Sequence, residues 1–214
     1  MKNYKGSCVN NFNVKFFFNN RAKEYGADIK TLDWSNQKTQ SIRFEVMSEI
    51  ANLNNKSILD VGCGFADYYT YLKEKDFDIE YKGIDISDEI VSLAKENKKN
   101  LDIEVVDILN EKLLQSFDFV FGSGIHYINS GNNYDRMESL LINMFEVANI
   151  GIATNFIRSN TDYKFGEHVF TYELDKVIKI CDKITPYWQL RTDYLDNDVT
   201  LYLYKKDFNE RKNI

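Results

Sequence analysis

Short apolar runs alternate with stretches of helical period through the middle of this chain. Ser57-Ile58-Leu59-Asp60-Val61 is apolar, carries an acid next to its end and meets Gly62-Cys63-Gly64 at once. That order predicts a buried strand, a tight turn and a helix start near Ala66, with Tyr68 and Leu72 on the helix face. The unit then repeats. Ile79–Ile86 reads as a second strand, and Ser87 as the N-cap of a helix whose Asp88 and Glu89 suit the positive end of its dipole. Ile103–Val106, closed by Asp107, is a third strand; Phe117–Phe121, closed by Gly122-Ser123-Gly124, is a fourth. A helix from about Asp135 turns Met137, Leu140, Leu141, Met144, Phe145 and Ala148 inward, and Ile150–Phe156 follows as a fifth strand. Strand–helix units of this size predict a parallel sheet with right-handed crossovers.

Both ends depart from that rhythm. Val14 to Tyr25 predicts a helix stopped by Gly26, and Asp33-Trp34-Ser35 opens a second. In the latter Ile42, Val46, Ile50 and Leu53 make one apolar stripe, ended by Asn54-Asn55. After the fifth strand, Arg158 to Tyr172 is polar and irregular. A helix with Leu174, Val177, Ile178 and Cys181 on one face follows. Two alternating runs, Tyr187–Tyr194 and Val199–Tyr204, then flank Asp196-Asn197-Asp198, a turn sequence that predicts an antiparallel hairpin.

Composition narrows the picture. A chain of 214 residues with 43% hydrophobic and 28% charged residues suits one globular α/β domain. No apolar run is long enough to span a bilayer, and Met1-Lys2-Asn3-Tyr4 does not begin a signal peptide. Cys8, Cys63 and Cys181 form no disulfide or metal pattern, so the expectation is a cytoplasmic protein with reduced thiols, no metal and no membrane partner. A net charge of −6 disfavours nucleic acid as the main partner. Oligomeric state is not legible.

The glycine turn holds the chemistry. Gly62 and Gly64 permit a tight turn and close approach of a ligand to the backbone, at the strand end where nucleotide-like ligands bind in open α/β sheets. A dinucleotide fingerprint would place a third glycine at position 67, where this chain has Asp67. With Leu59-Asp60-Val61-Gly62-Cys63-Gly64, Tyr81-Lys82-Gly83-Ile84-Asp85-Ile86-Ser87, Val106-Asp107-Ile108-Leu109 and Phe117-Asp118-Phe119-Val120 in that order, the chain resembles the class I S-adenosylmethionine-dependent methyltransferases from about Gln40 to Lys205.

The resemblance implies a Rossmann-like three-layer sandwich, with a mixed seven-stranded sheet and a C-terminal antiparallel hairpin. It implies one methyltransferase domain: a helical lead-in or lid over 1–55, a cofactor core over 56–157, and a substrate segment with the hairpin over 158–214. S-adenosylmethionine is the implied cofactor. Gly62 and Gly64 would lie against its amino-acid part, and Asp60 would orient the turn. Asp85 would accept from the ribose hydroxyls, while Asp107 and the Ile108 N–H would face adenine with Ile86 against its ring. Ser123 would lie near the ammonium. Arg43, nineteen residues before Gly62, would hold the carboxylate. Trp34, Gln37 and Gln40 are candidate lid residues. Cys63 reads as a small residue in a crowded turn.

Methyl transfer depends mainly on aligning an acceptor lone pair with an activated methyl, and a hydroxyl acceptor also benefits from a base. The two histidines, His126 after strand four and His168 in the irregular segment, are the candidate bases. The strand-four end Ser123-Gly124-Ile125-His126 lacks the pattern of enzymes that methylate amide or adenine nitrogens. The expected acceptor is a small hydroxylated metabolite, with a sugar suggested by analogy. N-methylation of a small amine and a non-catalytic binding protein are the alternatives; a nicotinamide-dependent dehydrogenase is more distant.

Overall fold

The computed structural model describes residues 11–34, 36–159 and 163–207. The readings placed on Met1–Tyr4, Cys8 and Ser35 lie outside the described residues. Seven strands form one sheet: β1 (Lys56–Val61), β2 (Ile79–Asp85), β3 (Ile103–Val105), β4 (Phe117–Gly122), β5 (Ala148–Ile157), β6 (Trp188–Arg191) and β7 (Asp198–Tyr204). Their order is β3-β2-β1-β4-β5-β7-β6, with β1 to β5 parallel and β7 antiparallel to both neighbours. The helices are α1 (Asn11–Tyr25), α2 (Gln37–Ser48), α3 (Asp67–Glu74), α4 (Asp88–Asn97), α5 (Asn133–Val147) and α6 (Leu174–Ile184). The mixed sheet with its antiparallel end is the architecture expected.

Side-chain alternation divides each central strand between two cores. Leu59, Val61, Val120, Ile152, Leu201 and Leu203 pack under α5 and α6. Ile58, Phe119, Phe121, Ala153, Tyr202 and Tyr204 pack under α2 and α3 with Phe44, Met47, Tyr68 and Leu72. A third cluster joins Ala22 of α1 to Ile90, Val91 and Ala94 of α4. Both sheet faces are therefore covered, which makes three layers.

Local signals act where they were read, with some shifts. Gly26 ends α1 at φ +62, its N–H donating to the Ala22 carbonyl at 2.9 Å. The Ser87 hydroxyl accepts from the Ile90 N–H at 3.1 Å and caps α4. Asp33 does not open α2. It closes a single 3-10 turn, Ile29–Leu32, in the left-handed conformation at φ +58, and Asn36 caps α2 through the Thr39 N–H. That helix stops at Ser48, so Ile50 and Leu53 reach the core from the following loop. β7 is buried along its whole length, because it lies between β5 and β6. Asp198, read as a turn residue, is its first residue and pairs with Ile157.

Candidate active site

The chain runs from β1 to β2 and β3 on one side, then returns to β4 and β5 on the other. The strand order reverses beside β1, and ligands of open α/β sheets bind at such a reversal. A cleft with about 960 Å³ of empty volume lies there. Its floor is the glycine turn. Gly62 and Cys63 both donate their N–H to the Ile84 carbonyl, at 2.8 and 3.0 Å, and Gly62 and Gly64 have φ of +69 and +56. A Cβ on Gly62 would meet Ile125 Cγ2 at 2.5 Å, and one on Gly64 would meet Leu32 at 3.0 Å. Both positions favour glycine, by their left-handed backbone and by these close neighbours.

Carboxylates ring this floor. Asp60 is buried and accepts from the Tyr81 hydroxyl at 2.7 Å. Burial pushes its carboxyl up to about 7, against the lowering effect of the Tyr81 bond. Asp85 binds the turn to its own strand end: Oδ2 accepts from the Gly64 N–H at 3.0 Å and Oδ1 from the Ser87 N–H at 2.9 Å. Burial raises its pKa too, opposed by these backbone donors. Asp107 shapes the turn after β3, accepting from the Leu109 N–H at 3.0 Å and from Asn110 at 2.7 Å. Asp60, Gly62, Gly64, Asp85, Ile86, Asp107, Ile108 and Ser123 all line this one cleft.

A second cavity of about 1210 Å³ adjoins the first, and the two share Leu32, Trp34 and Gly124 as a wall. Asn155 of β5 fixes that wall from below: its Oδ1 accepts from the Gly124 N–H at 2.8 Å and its Nδ2 donates to the Ser123 hydroxyl at 3.1 Å. Trp34 closes it from above, 3.0 Å from where a Cβ of Gly124 would be.

Three candidates sit elsewhere than the sequence suggests. Arg43 lines the second cavity, not the first. Its guanidinium makes a two-point ion pair with Asp198, at 2.6 and 2.9 Å, and stacks on Trp34 at 4.8 Å. His126 is fully buried, lines neither cavity and packs edge-on against Tyr172. Neither ring nitrogen has a hydrogen-bond partner. Burial first, and then Arg136, pushes its pKa down to about 3. A ring so placed is neutral and cannot reach an acceptor without rearrangement. His168 is half-exposed outside both cavities, bonded through Nε2 to Asp33 Oδ2 at 3.1 Å and stacked on Phe17.

Several contributors were not read from the sequence. Val14, Phe18 and Leu32 roof the cleft, and the buried Arg136 lines it while donating to the Ile125 carbonyl at 2.8 Å. Of the suggested lid residues, Trp34 and Gln40 line the cleft and Gln37 does not. Asp33 joins three elements: Oδ1 meets Arg21 of α1 at 2.9 Å, Oδ2 meets His168, and the Tyr127 hydroxyl lies close by. The Cys63 thiol is buried and held well above its ordinary pKa by burial and the nearby acids, which makes it inert. Among the described residues, no cluster of His, Cys, Asp and Glu has the arrangement of a metal site, and no helix is long and apolar enough to cross a membrane.

Comparison with known proteins agrees with this geometry. A family model described as "Methyltransferase domain" matches residues 52–183. Over 74 residues the chain is 31% identical to protein 235L of Invertebrate iridescent virus 6, which carries a provisional methyltransferase name. That match takes in 35% of this chain and 28% of the viral protein's length. Magnesium protoporphyrin IX methyltransferase from Synechocystis PCC 6803, solved with bound S-adenosylhomocysteine, superposes at a TM-score of 0.64 with 16% identity, covering 91% of this chain and 99% of that one. The DhpI complex with S-adenosylhomocysteine superposes at 0.67 with 11% identity, covering 95% and 100%.

Proposed function

The chain belongs to the methyltransferase-domain family, and from that premise we propose that it transfers a methyl group from S-adenosylmethionine to a small hydroxylated molecule. The observation that supports this reading is the convergence of Asp60, Asp85 and Asp107 with the Gly62–Gly64 turn in one cleft. The fit to the cofactor is specific in kind. Gly62 and Gly64 form a tight left-handed turn at the floor of the cleft, and Asp60 and Asp85 are buried beside it. When bound, S-adenosylmethionine supplies a methyl group on a positively charged sulfur.

The residues then divide the work. Gly62 and Gly64 present backbone to the amino-acid part, and Asp60 lies beneath the turn. Asp85 accepts from ribose hydroxyls with lone pairs left over from its two backbone bonds, and Asp107, Ile108 and Ile86 take the base. Ser123 and Gly124, fixed by Asn155, form the threshold toward the second cavity, where an acceptor's lone pair would be aligned. The acceptor class, a sugar or another hydroxylated metabolite, rests on the sequence analogy. Isothermal calorimetry with S-adenosylhomocysteine tests the donor site: the expected result is one binding event, lost in Gly62→Val. No binding by the wild-type protein would refute the proposal.

A further inference from the structure

We infer that the second cavity receives the acceptor, that this acceptor is an uncharged phenol, and that Asp33 takes the phenolic proton. The inference rests on the methyl-transfer reading above and narrows its acceptor. Five aromatic side chains line the cavity: Trp34, Tyr127, Phe156, Tyr163 and Phe165. Tyr163 and Phe165, in the irregular segment after β5, pack against each other with centroids 4.7 Å apart. Such walls suit a flat ring by stacking. A sugar would need polar partners around its whole rim, which aromatic walls do not supply.

Charge disfavours anionic acceptors. Three carboxylates, Asp33, Asp196 and Asp198, line the cavity with one cation, Arg43, and Arg43 is already committed to Asp198 and Trp34. Arg21 is committed to Asp33, and Arg158 donates to the Asp196 carbonyl at 2.9 Å. A phosphorylated or carboxylated acceptor would meet carboxylates and no uncommitted cation. A neutral ring with one hydroxyl meets no such penalty.

Asp33 lies in sequence between Leu32 and Trp34 of the wall shared with the donor cleft, and both it and Tyr127 line the second cavity. The Tyr127 hydroxyl is buried and lies close to the Asp33 carboxylate. Arg21 and His168 each bond one oxygen of Asp33; we assign Asp33 as the base for its place beside the shared wall, and His168 as a positioning residue with solvent access. In the transfer, the phenolic oxygen forms the bond to the methyl carbon and its proton passes to Asp33. The bond from that carbon to the donor sulfur breaks, and its electron pair stays on sulfur.

The test titrates catechol, phenyl phosphate and methyl glucoside into protein saturated with S-adenosylhomocysteine, by calorimetry, and follows methyl transfer to each by mass spectrometry. Catechol should bind and be methylated; Phe165→Ala should weaken its binding about tenfold. Asp33→Asn suits the left-handed backbone at this position and should keep S-adenosylhomocysteine and catechol binding, while slowing methylation about 100-fold. His168→Gln should slow it less and alter its pH profile. Tighter binding of phenyl phosphate or methyl glucoside than of catechol would overturn the acceptor assignment and leave the methyl-transfer reading standing. An unchanged rate in Asp33→Asn would overturn the base. Failure of wild-type protein to bind S-adenosylhomocysteine would remove both.

Discussion

Asp60 should make this protein less stable as the solution becomes more alkaline, and Asp60→Asn should remove that cost. In the fold its carboxyl titrates at about 7 because burial disfavours the ion; in the unfolded chain it returns to its ordinary 3.8. A folded pKa above the unfolded one means that its contribution is fully present below pH 3.8 and is lost as pH rises through 7. At 1.36 kcal/mol for each pH unit between the two titration points, the full loss is about 4 kcal/mol, of which about 3 falls between pH 5 and pH 8. Asparagine keeps an acceptor for the Tyr81 hydroxyl and cannot ionise. For a domain of this size, about 3 kcal/mol corresponds to roughly 6–12 °C in Tm. Thermal melts of the two ligand-free proteins at pH 5 and 8 should therefore show the variant's advantage widening by that amount at the higher pH. A constant difference across the range would refute the reasoning. Because the donor is cationic, its binding should favour the Asp60 anion. Calorimetry near pH 6.5 in buffers of different ionisation enthalpy should detect release of a proton in the wild type and none in Asp60→Asn.

Arg43→Gln should lower stability by roughly 3 kcal/mol, because it leaves the buried Asp198 carboxylate unpaired. The same change should alter S-adenosylhomocysteine affinity less than about threefold; a larger loss would restore Arg43 to the donor's carboxylate. His126 is held near 3 against an ordinary 6.5, so its contribution is full above pH 6.5 and falls as pH drops toward 3. His126→Leu should accordingly melt higher than wild type at pH 5 relative to their difference at pH 7.5, with turnover kept within about fivefold. A collapse of turnover with intact donor binding would reinstate His126 as the base.

Features set by local order were legible in the chain. The β1 run and its glycines, the Ser87 cap and the Gly26 stop each depend on neighbours within a few positions, and each occurs where the pattern indicates. That Asp60, Asp85 and Asp107 line one cleft follows from the same local order, because parallel strands bring their carboxyl ends to one edge of the sheet. What failed were pairings across the sequence. Arg43 meets Asp198 from the far end of the chain, and no spacing rule announces such a partner. His126 sits one residue past a cavity-lining isoleucine, yet its ring is fully buried and edge-on to Tyr172. Asp33 resembled a helix cap because Asp is a common one. The left-handed turn and the contacts with Arg21 and His168 that define its place arise only on folding.

Leu32, Trp34 and Gly124 belong to both cavities at once. A partition only one side chain thick makes donor and acceptor preferences inseparable under mutation. A change to Trp34 that admitted a bulkier acceptor would also loosen the roof over the glycine turn, so acceptor range should drift through the outer residues Tyr163 and Phe165 first. The partition itself would be the slowest part of the site to diversify.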